Sequence, residues 1–419
     1  MQNSNKGAFR LAAALAATLA ATAAGAVDIV SGDWKFSVNG NINVDYIYSS
    51  CEDANTTQVI HTVGGACTGS PSGSSVSNVG NGLLPAAITF GISTTQNGYD
   101  LAAHFGLYPG IASNDGGSPN LQANGTALSN VGLSTTGLDI RQVYMTFGNK
   151  DIGTFTFGRN FGLFGFDAII NDMTLPGVGV AGSASTPTPS NTTLGSIGFG
   201  YIYVDTLAQM DYTTPDLAGF SLTGGIFAPI NPIDGTTSTG RKAPGFHGKA
   251  AYTLKMSDDM KFYASGTFIT EKQNSAVGAV NGPEYTSTGW DIFAKFDAAG
   301  FEVDASYYHG KGMGTTGLFI LASDGNGNSR KSDGYLIQGT YTVGAVKFGV
   351  NYGVSKLDLA NGADDPFLLS KNSKVTGGVY YSLTKNLTLL GEVSGAKTEA
   401  HNGNENKSTN VNFGAFMSF

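Results

Sequence analysis

Charged residues are scarce in this chain of 419 residues. Asp, Glu, Lys and Arg make up 13% of it, against about a quarter in ordinary soluble domains. Proline is also low at 13 residues, and the hydrophobic share is 41%, so the chain resembles neither a collagen nor a disordered proline-rich protein. Beyond the N-terminal region there is no apolar run of the roughly 18 residues that a membrane-spanning helix needs. Spans made of strands stay open, because their alternation escapes hydropathy averages.

The N-terminal region has the order of a secretory signal. Lys6 and Arg10 precede an Ala/Leu stretch, and Ala24-Gly25-Ala26 fits a processing site. We predict a signal peptide over residues 1–26, cleaved after Ala26, and one further domain over residues 27–419. The protein is therefore expected outside the cytoplasm.

Cysteine occurs only at Cys51 and Cys67. In an exported protein such a pair predicts a disulfide that closes one loop. A metal site would need more ligands, and His61 is the one histidine nearby. We expect no metal and no cofactor.

Apolar and polar residues alternate with period two along much of the chain. From Trp34, apolar side chains occupy every second position over ten residues or more, which gives a strand one apolar and one polar face. The same alternation recurs at 290–297, 301–307, 346–353 and 410–419. Strands of about ten residues are long enough to cross a bilayer at a tilt.

The connections between these strands alternate between short and long. Short ones with turn chemistry fall near Gly98, Gly148, Pro215, Asp258, Gly300, Gly344 and Asn386. Long ones rich in Gly, Ser, Asn and Thr fall at 49–84, 108–137, 160–197, 229–244, 272–286, 310–332, 357–373 and 398–408. Fifteen connections join sixteen strands. The pattern predicts an all-β fold, a 16-stranded transmembrane antiparallel β-barrel with short periplasmic turns and long extracellular loops.

One region of the chain has sharper motifs. It contains Arg141-Gln142-Val143-Tyr144, Gly153 to Gly162 with Gly158-Arg159 inside it, and Asp167-Ala168, Asp172-Met173 and Pro176-Gly177. Together with Met210 to Phe220 and the terminal Phe419, this region resembles the general diffusion porins of Gram-negative bacterial outer membranes. The resemblance implies a homotrimer in the cell outer membrane, in contact with outer-membrane lipid and lipopolysaccharide, that passes small hydrophilic solutes and ions.

The resemblance also implies a third loop, residues 160–197, that folds into the barrel and narrows it. Carried over by position, Arg141 is expected on the basic wall of this constriction, with Asp167 and Asp172 in the loop. Arg159 is expected to anchor the loop where it begins. For Arg141 a structural ion pair, and for the two aspartates a solvated position, remain alternatives. The remaining charges predict a weak preference for cations.

Functions other than passive diffusion have less support in the sequence. A substrate-selective channel would need a ladder of aromatics in the lumen, and Phe293, Tyr308 and Tyr380 are the scattered candidates. No catalytic motif is found, so we do not expect an enzyme, while a surface adhesin or barrel enzyme built on the long loops stays an alternative. The net charge of −8 disfavours nucleic acid as a partner.

Overall fold

A computed structural model describes residues 27–52, 58–68, 75–111, 138–182, 192–230, 243–274 and 283–419. The predicted signal peptide, residues 1–26, lies outside this part of the chain. The strands are β1 (Val27–Ser31), β2 (Trp34–Cys51), β3 (Ser75–Gly80), β4 (Ala87–Gln96), β5 (Tyr99–Pro109), β6 (Leu138–Asn149), β7 (Gly153–Phe161), β8 (Thr206–Thr213), β9 (Phe220–Phe227), β10 (Gly245–Lys255), β11 (Met260–Asn274), β12 (Glu284–Ala298), β13 (Phe301–Lys311), β14 (Lys331–Val343), β15 (Val346–Leu357), β16 (Leu369–Ser382), β17 (Leu387–Ala400) and β18 (Glu405–Ser418). One short helix, α1 (Phe166–Asn171), lies between β7 and β8.

Successive strands pair antiparallel from β4 to β18, and the sheet closes on itself. Closure is the pairing of β18 with β2, in a register that runs from Ser408 opposite Cys51 to Ser418 opposite Asn41. With β3 and β4 counted as two segments of one barrel strand, the wall has the predicted sixteen strands. The predicted closed 16-stranded antiparallel barrel is confirmed. Among the described residues, no helix has the length and apolar character needed to span a bilayer.

The two faces of the wall follow the predicted alternation. On β18, Val411, Phe413 and Met417 are exposed on the outside, whereas Asn410 and Asn412 are buried on the inside. An exposed apolar face is the stable arrangement when the surrounding medium is hydrocarbon. The inward face is polar and largely buried, so something other than solvent covers it.

The second barrel strand is longer than predicted and is interrupted. The prediction placed residues 49–84 in a loop. In the structure, however, β3 pairs with residues 45–50 of β2, and β4 pairs with residues 35–41 of β2. Between them, residues 81–86 leave the ladder and turn inward. The N–H groups of Leu83 and Leu84 donate to the carbonyls of Gly177 and Leu175. At the interruption, these backbone groups therefore bond to a segment inside the barrel and not to a neighbouring strand.

One other connection and the segment before Trp34 also differ from the predictions. The last one was predicted over 398–408 but contains only residues 401–404, because Lys397, Glu399 and their partners on β18 continue the ladder. These residues are charged because they lie at the outward-facing ends of two strands. The segment before Trp34 also forms a strand, β1, which pairs with the start of β2 and carries the ion pair of Asp28 with Lys35, 2.9 Å.

Cys51 and Cys67 are joined, as predicted, with their Cα atoms 5.5 Å apart. The bond connects the end of β2 to residues 58–68. This segment also donates from His61 N–H to the carbonyl of Phe367 and from Ala66 N–H to Thr398 Oγ1, 2.7 Å. The disulfide and these bonds hold residues 58–68 against the mouth of the barrel.

Replacing both cysteines by serine should loosen this segment without opening the barrel. A disulfide closing a loop of this length contributes about 3 kcal/mol in the chain-entropy model. We expect faster amide hydrogen exchange in residues 58–68 of the double variant and unchanged exchange in β18, measured by mass spectrometry of peptides. Wild-type protein treated with a reductant is the matched control. Equal exchange in 58–68 before and after loss of the bond would show that the hydrogen bonds alone hold the segment.

Candidate functional site

The connection between β7 and β8 comprises residues 162–205. Its described parts, 162–182 and 192–205, lie inside the barrel and are almost entirely buried. The chain enters the lumen through Gly162 and Gly165, and Gly165 has a φ of 77°, a left-handed conformation that favours glycine at the start of α1. We call residues 162–205 the inner loop.

Asp167 fixes the first turn of α1 to the wall. Its carboxylate pairs with Lys249 of β10 at 2.7 Å and accepts hydrogen bonds from Tyr263, 3.0 Å, and Ser265 of β11. The aspartate is 6% exposed, so its charge is compensated by the wall and does not face solution.

Asp172 organises the inner loop after the helix. Its Oδ1 accepts from the N–H and hydroxyl of Thr174, at 3.0 and 2.8 Å. Its Oδ2 accepts from the N–H of Ser196, 3.1 Å, and from the Tyr201 hydroxyl, 2.8 Å. Asn351 of β15 donates to Oδ1 as well, at 3.4 Å. A carboxylate that accepts five hydrogen bonds at 3% exposure holds two distant parts of the loop together. The solvated position considered for both aspartates is therefore wrong.

Wall side chains from β12 to β17 bind the backbone of the inner loop. Asp291 of β12 accepts from Gly165 N–H at 2.7 Å, and Gln338 of β14 accepts from Met173 N–H at 3.0 Å. Glu392 of β17 accepts from the N–H groups of both Val178 and Gly179, at 2.9 and 2.8 Å. Since buried backbone groups need partners, these three side chains determine the path of the loop.

The alternation predicts a hydrated inner wall that includes Asp45, Asp291, Lys295, Glu302 and Asp304, and for three of these residues that prediction is wrong. Asp45, Asp291 and Asp304 are buried, and Asp291 accepts from Gly165 of the inner loop whereas Asp304 accepts from Gln338, 2.9 Å. Lys295 and Glu302 keep partial exposure and pair at 2.9 Å, as a hydrated wall would have them. The alternation showed that these side chains point inward, but it holds no information on which of them the loop covers.

Arg141 lies inside the barrel because of a β-bulge. The register of β5 and β6 shifts between Gly106 and Leu107, so Arg141 is the extra residue and its side chain turns inward beside that of Gln142. Its Nε donates to Asp139 at 2.8 Å, and the guanidinium lies 5.0 Å from the centre of the Tyr108 ring. At 6% exposure, Arg141 has the geometry of a structural ion pair, the alternative left open by the sequence.

Arg159 has a different environment. It is opposite Val143 and Ala208, both exposed on the outer face, whereas the neighbouring Asn160 accepts from Gln142 inside the barrel, 2.8 Å. Its electrostatic neighbours are Tyr203 and Asp205, at the end of the inner loop. The register places Arg159 with the outward-facing residues of β7, next to the loop end and not in the constriction.

The connection between β13 and β14, residues 312–330, packs on the inner loop and was not predicted to do so. Met313 and Phe319 are fully buried in one apolar cluster with Phe164 and Ile202 of the inner loop. Tyr203 N–H donates to the carbonyl of Thr316, 2.7 Å. A run such as Leu318-Phe319-Ile320-Leu321 is too apolar for a solvated loop, and this signal in the sequence was available.

The same connection ends in an ion pair at the mouth of the barrel. Arg330 donates through Nε and Nη2 to both oxygens of Asp364, at 2.8 and 2.7 Å. Burial alone would raise the pKa of Asp364, but the hydrogen bonds from Arg330 and from the N–H groups of Ala360 and Asp365 lower it to about 2. Because the pKa of Asp364 is depressed, the ionised carboxylate stabilises the folded protein at pH values above the ordinary aspartate pKa. This stabilisation is lost as the pH falls towards 2.

The site as a whole is a barrel narrowed by a braced loop. Among the described inner-loop residues, those that keep partial exposure are Ile170, Asn171, Pro176, Thr192, Leu194, Tyr203 and Asp205, and Asp205 at the loop end is the one charged residue of this set. Phe293, Tyr308 and Tyr380 do point inward, yet they are buried, and Tyr380 donates to Glu392 at 2.7 Å. These three aromatics therefore do not form a ladder open to solutes.

Comparison with known proteins gives one family. The family model described as Gram-negative porin matches residues 11–401. No curated protein has a sequence that matches this chain.

Several solved structures share the fold. The outer membrane channel DcaP of Acinetobacter baumannii is similar with a TM-score of 0.67 at 16% identity, over 93% of this chain and 99% of that chain. OmpF of Salmonella typhi, solved in complex with daunomycin, has a TM-score of 0.54 at 14% identity, over 94% of this chain and 100% of that one. Outer-membrane-expressed OmpT of Vibrio cholerae has 0.53 at 12%, over 94% and 100%. At these identities the likeness concerns the fold alone.

Asp167→Ala should release α1 from the wall. Removing one partner of a buried ion pair costs about 3–5 kcal/mol, because Lys249 is left uncompensated. We expect a larger and noisier single-channel current, recorded in a planar lipid bilayer. Asp100→Ala is the control, since Asp100 is an exposed carboxylate of β5 bonded to Thr95, 2.7 Å, at the short-turn end. A steady current of wild-type size in Asp167→Ala would mean that the loop does not depend on this anchor.

Proposed function

The chain belongs to the Gram-negative porin family and is an outer-membrane channel for passive diffusion, and we propose that the inner loop sets the size limit for its solutes. One observation supports this proposal above the others. The inner loop is bonded to wall side chains from β10 to β17, through Lys249, Asp291, Gln338 and Glu392. A loop held at so many points keeps one cross-section, and a fixed cross-section sorts solutes by size.

The solutes are small, hydrophilic molecules and ions. Most of the partly exposed residues of the described inner loop are neutral, such as Ile170, Asn171 and Pro176, with Asp205 at the loop end as the exception, so the loop side of the channel has little means of choosing by charge. Asp167 is paired with Lys249, and Asp172 is buried beneath its hydrogen-bond donors, so neither faces the solute directly or contributes much to the weak cation preference predicted from sequence. On the wall, Lys295 pairs with Glu302 at 2.9 Å and with Asp297 at 3.6 Å, and all three side chains keep partial exposure.

The assembly and surroundings follow from the family. We take the protein to be a homotrimer in contact with outer-membrane lipid and lipopolysaccharide. The family and the fold indicate a channel, and we take the protein to be without catalytic activity. A surface adhesin or a barrel enzyme would need a site on the long loops that the described residues give no reason to assign.

The proposal is tested by shortening the inner loop within residues 167–185 and reconstituting the full-length protein in a planar bilayer. Wild-type protein should insert with conductance steps in multiples of three, and the deletion should raise the conductance and admit larger neutral sugars. Because the loop does not carry the barrel ladder, circular dichroism should still report a folded β-protein. Silence of the wild type would refute the channel, whereas equal conductance of the two proteins would refute only the role of the loop.

A further inference from the structure

The inner loop leaves one part of the wall in contact with water. Inward residues of strands β4 to β6, such as Thr89, Ala102 and Thr146, keep partial exposure, whereas the inward residues of β17 from position 390 on are buried. Among the described residues, one hydrogen bond joins β4 to β6 to the inner loop, from Arg141 to the Tyr203 hydroxyl, 3.5 Å. The path of water and ions therefore runs along these strands, and we call their inward face the open wall.

His104 lies in the middle of the open wall. It is halfway along β5, directly opposite Gly91 of β4 and Tyr144 of β6. Its ring stacks on the ring of Tyr144, with centroids 4.7 Å apart and planes inclined by 17°. On the other flank Gly91 has no side chain, and a Cβ atom there would lie 3.8 Å from Nδ1 of His104. The imidazole is thus held on one side and has free space on the other.

The ring nitrogens of His104 are open to the lumen. Within the described part of the chain, no hydrogen bond or ion pair involves either nitrogen, and neither is enclosed without a partner. A proton can therefore bind to the ring without breaking a contact, and water can solvate the charge that results. Histidine is the side chain that ordinarily gains its proton between pH 8 and pH 5.

The positions around His104 are neutral. The inward neighbours on its own strand and on the two paired strands carry no charge, and Ser37 of β2 follows beyond Gly91. Tyr144 is the one titratable group among these neighbours, and a phenol stays neutral far above neutral pH. A charge on the imidazole would therefore be a single charge and not half of an ion pair.

The nearest charged side chains along the open wall are further away and have partners. Lys35 of β2 pairs with Asp28 at 2.9 Å, and Arg141 pairs with Asp139 at 2.8 Å. Asp100, two inward positions along β5 from His104, accepts from a threonine of β4 at 2.7 Å. Within the described open wall, His104 is thus the group whose charge changes near neutral pH.

The other four histidines are outside the path of solutes. His61 and His401 lie in long connections, where they bond to Asp365 and to the carbonyl of Leu357. His247 is buried against Asp211, and His309 lies on the outward face beside Trp290, with ring centres 6.1 Å apart. Their protonation leaves the charge of the open wall unchanged.

We propose that His104 determines the charge preference of the channel. When the imidazole is neutral, the middle of the open wall is neutral and ions of both signs pass. When it is protonated, one fixed positive charge stands beside the path and favours anions. The inference deepens the proposed function, because it adds a filter for charge to the size limit set by the inner loop.

The test measures reversal potentials of the full-length protein in a planar bilayer under a potassium chloride gradient, from pH 8 to pH 4.5. On acidification, the ratio of chloride to potassium permeability should rise about threefold more in the wild type than in His104→Gln. This factor is that of one charge about 6 Å from an ion in water. Carboxylates of the lumen titrate alike in both proteins, so the difference between the two proteins reports His104. The matched control is His309→Gln, which should respond to pH like the wild type.

A second variant fixes the charge. His104→Arg should favour anions already at pH 8, and the excess over His104→Gln should shrink as salt rises, because salt screens the charge. A wild-type pH response in His104→Gln, or an unchanged ion preference in His104→Arg, would overturn the inference. Passage of neutral sugars is recorded for every variant and should stay at the wild-type level. A size limit that does not depend on the inner loop would appear in the loop deletion alone, so the two failures can be told apart.

Discussion

Every backbone N–H and C=O that crosses the hydrocarbon of a membrane must find a partner within the protein. This constraint is met in the wall by the continuous antiparallel ladder, and above all by the pairing of β18 with β2 that removes the last free edge. Everything else in the molecule follows from a wall that can face lipid on one side only. The period-two alternation then fixes which side chains are inside.

A closed wall of sixteen strands creates a second problem of the same kind in its interior. A segment that enters the lumen brings its own backbone groups, and burial there requires partners. The inner loop solves this problem with carboxylates and amides of the wall, such as Glu392 and Gln338, which accept from consecutive parts of the loop. Residues 81–86 leave the ladder for the same purpose, and their N–H groups find carbonyls of the inner loop. The interior is therefore a bonded structure and not a bare tube with a loop in it.

The sequence predicts the wall well and the interior poorly, for one physical reason. Alternation is a local signal, so strand number, facing and closure could be predicted from it, as could the pairing of Cys51 with Cys67. The partners of Asp167 and Asp172 are Lys249, Tyr201 and residues further along, and no local pattern links positions so far apart. The ends of β17 and β18 were predicted to be a loop because they are rich in charged residues. The period-two alternation in fact continues through them. Arg141 shows a third limit, because a bulge changes the facing of one residue without leaving a mark in the sequence.

Counting charged residues in the lumen does not give the electrostatics that a solute meets. Asp167 is matched by Lys249, and Arg141 is matched by Asp139, so these charges form close dipoles whose fields fall off faster than those of single charges. Asp172 and Glu392 accept several hydrogen bonds each and are shielded from the aqueous path by burial. What remains in contact with water is the neutral side of the inner loop and a few partly exposed groups such as Lys295. In this barrel, ion pairs and hydrogen bonds position the loop, and it is the shape of the loop, more than its charge, that limits passage.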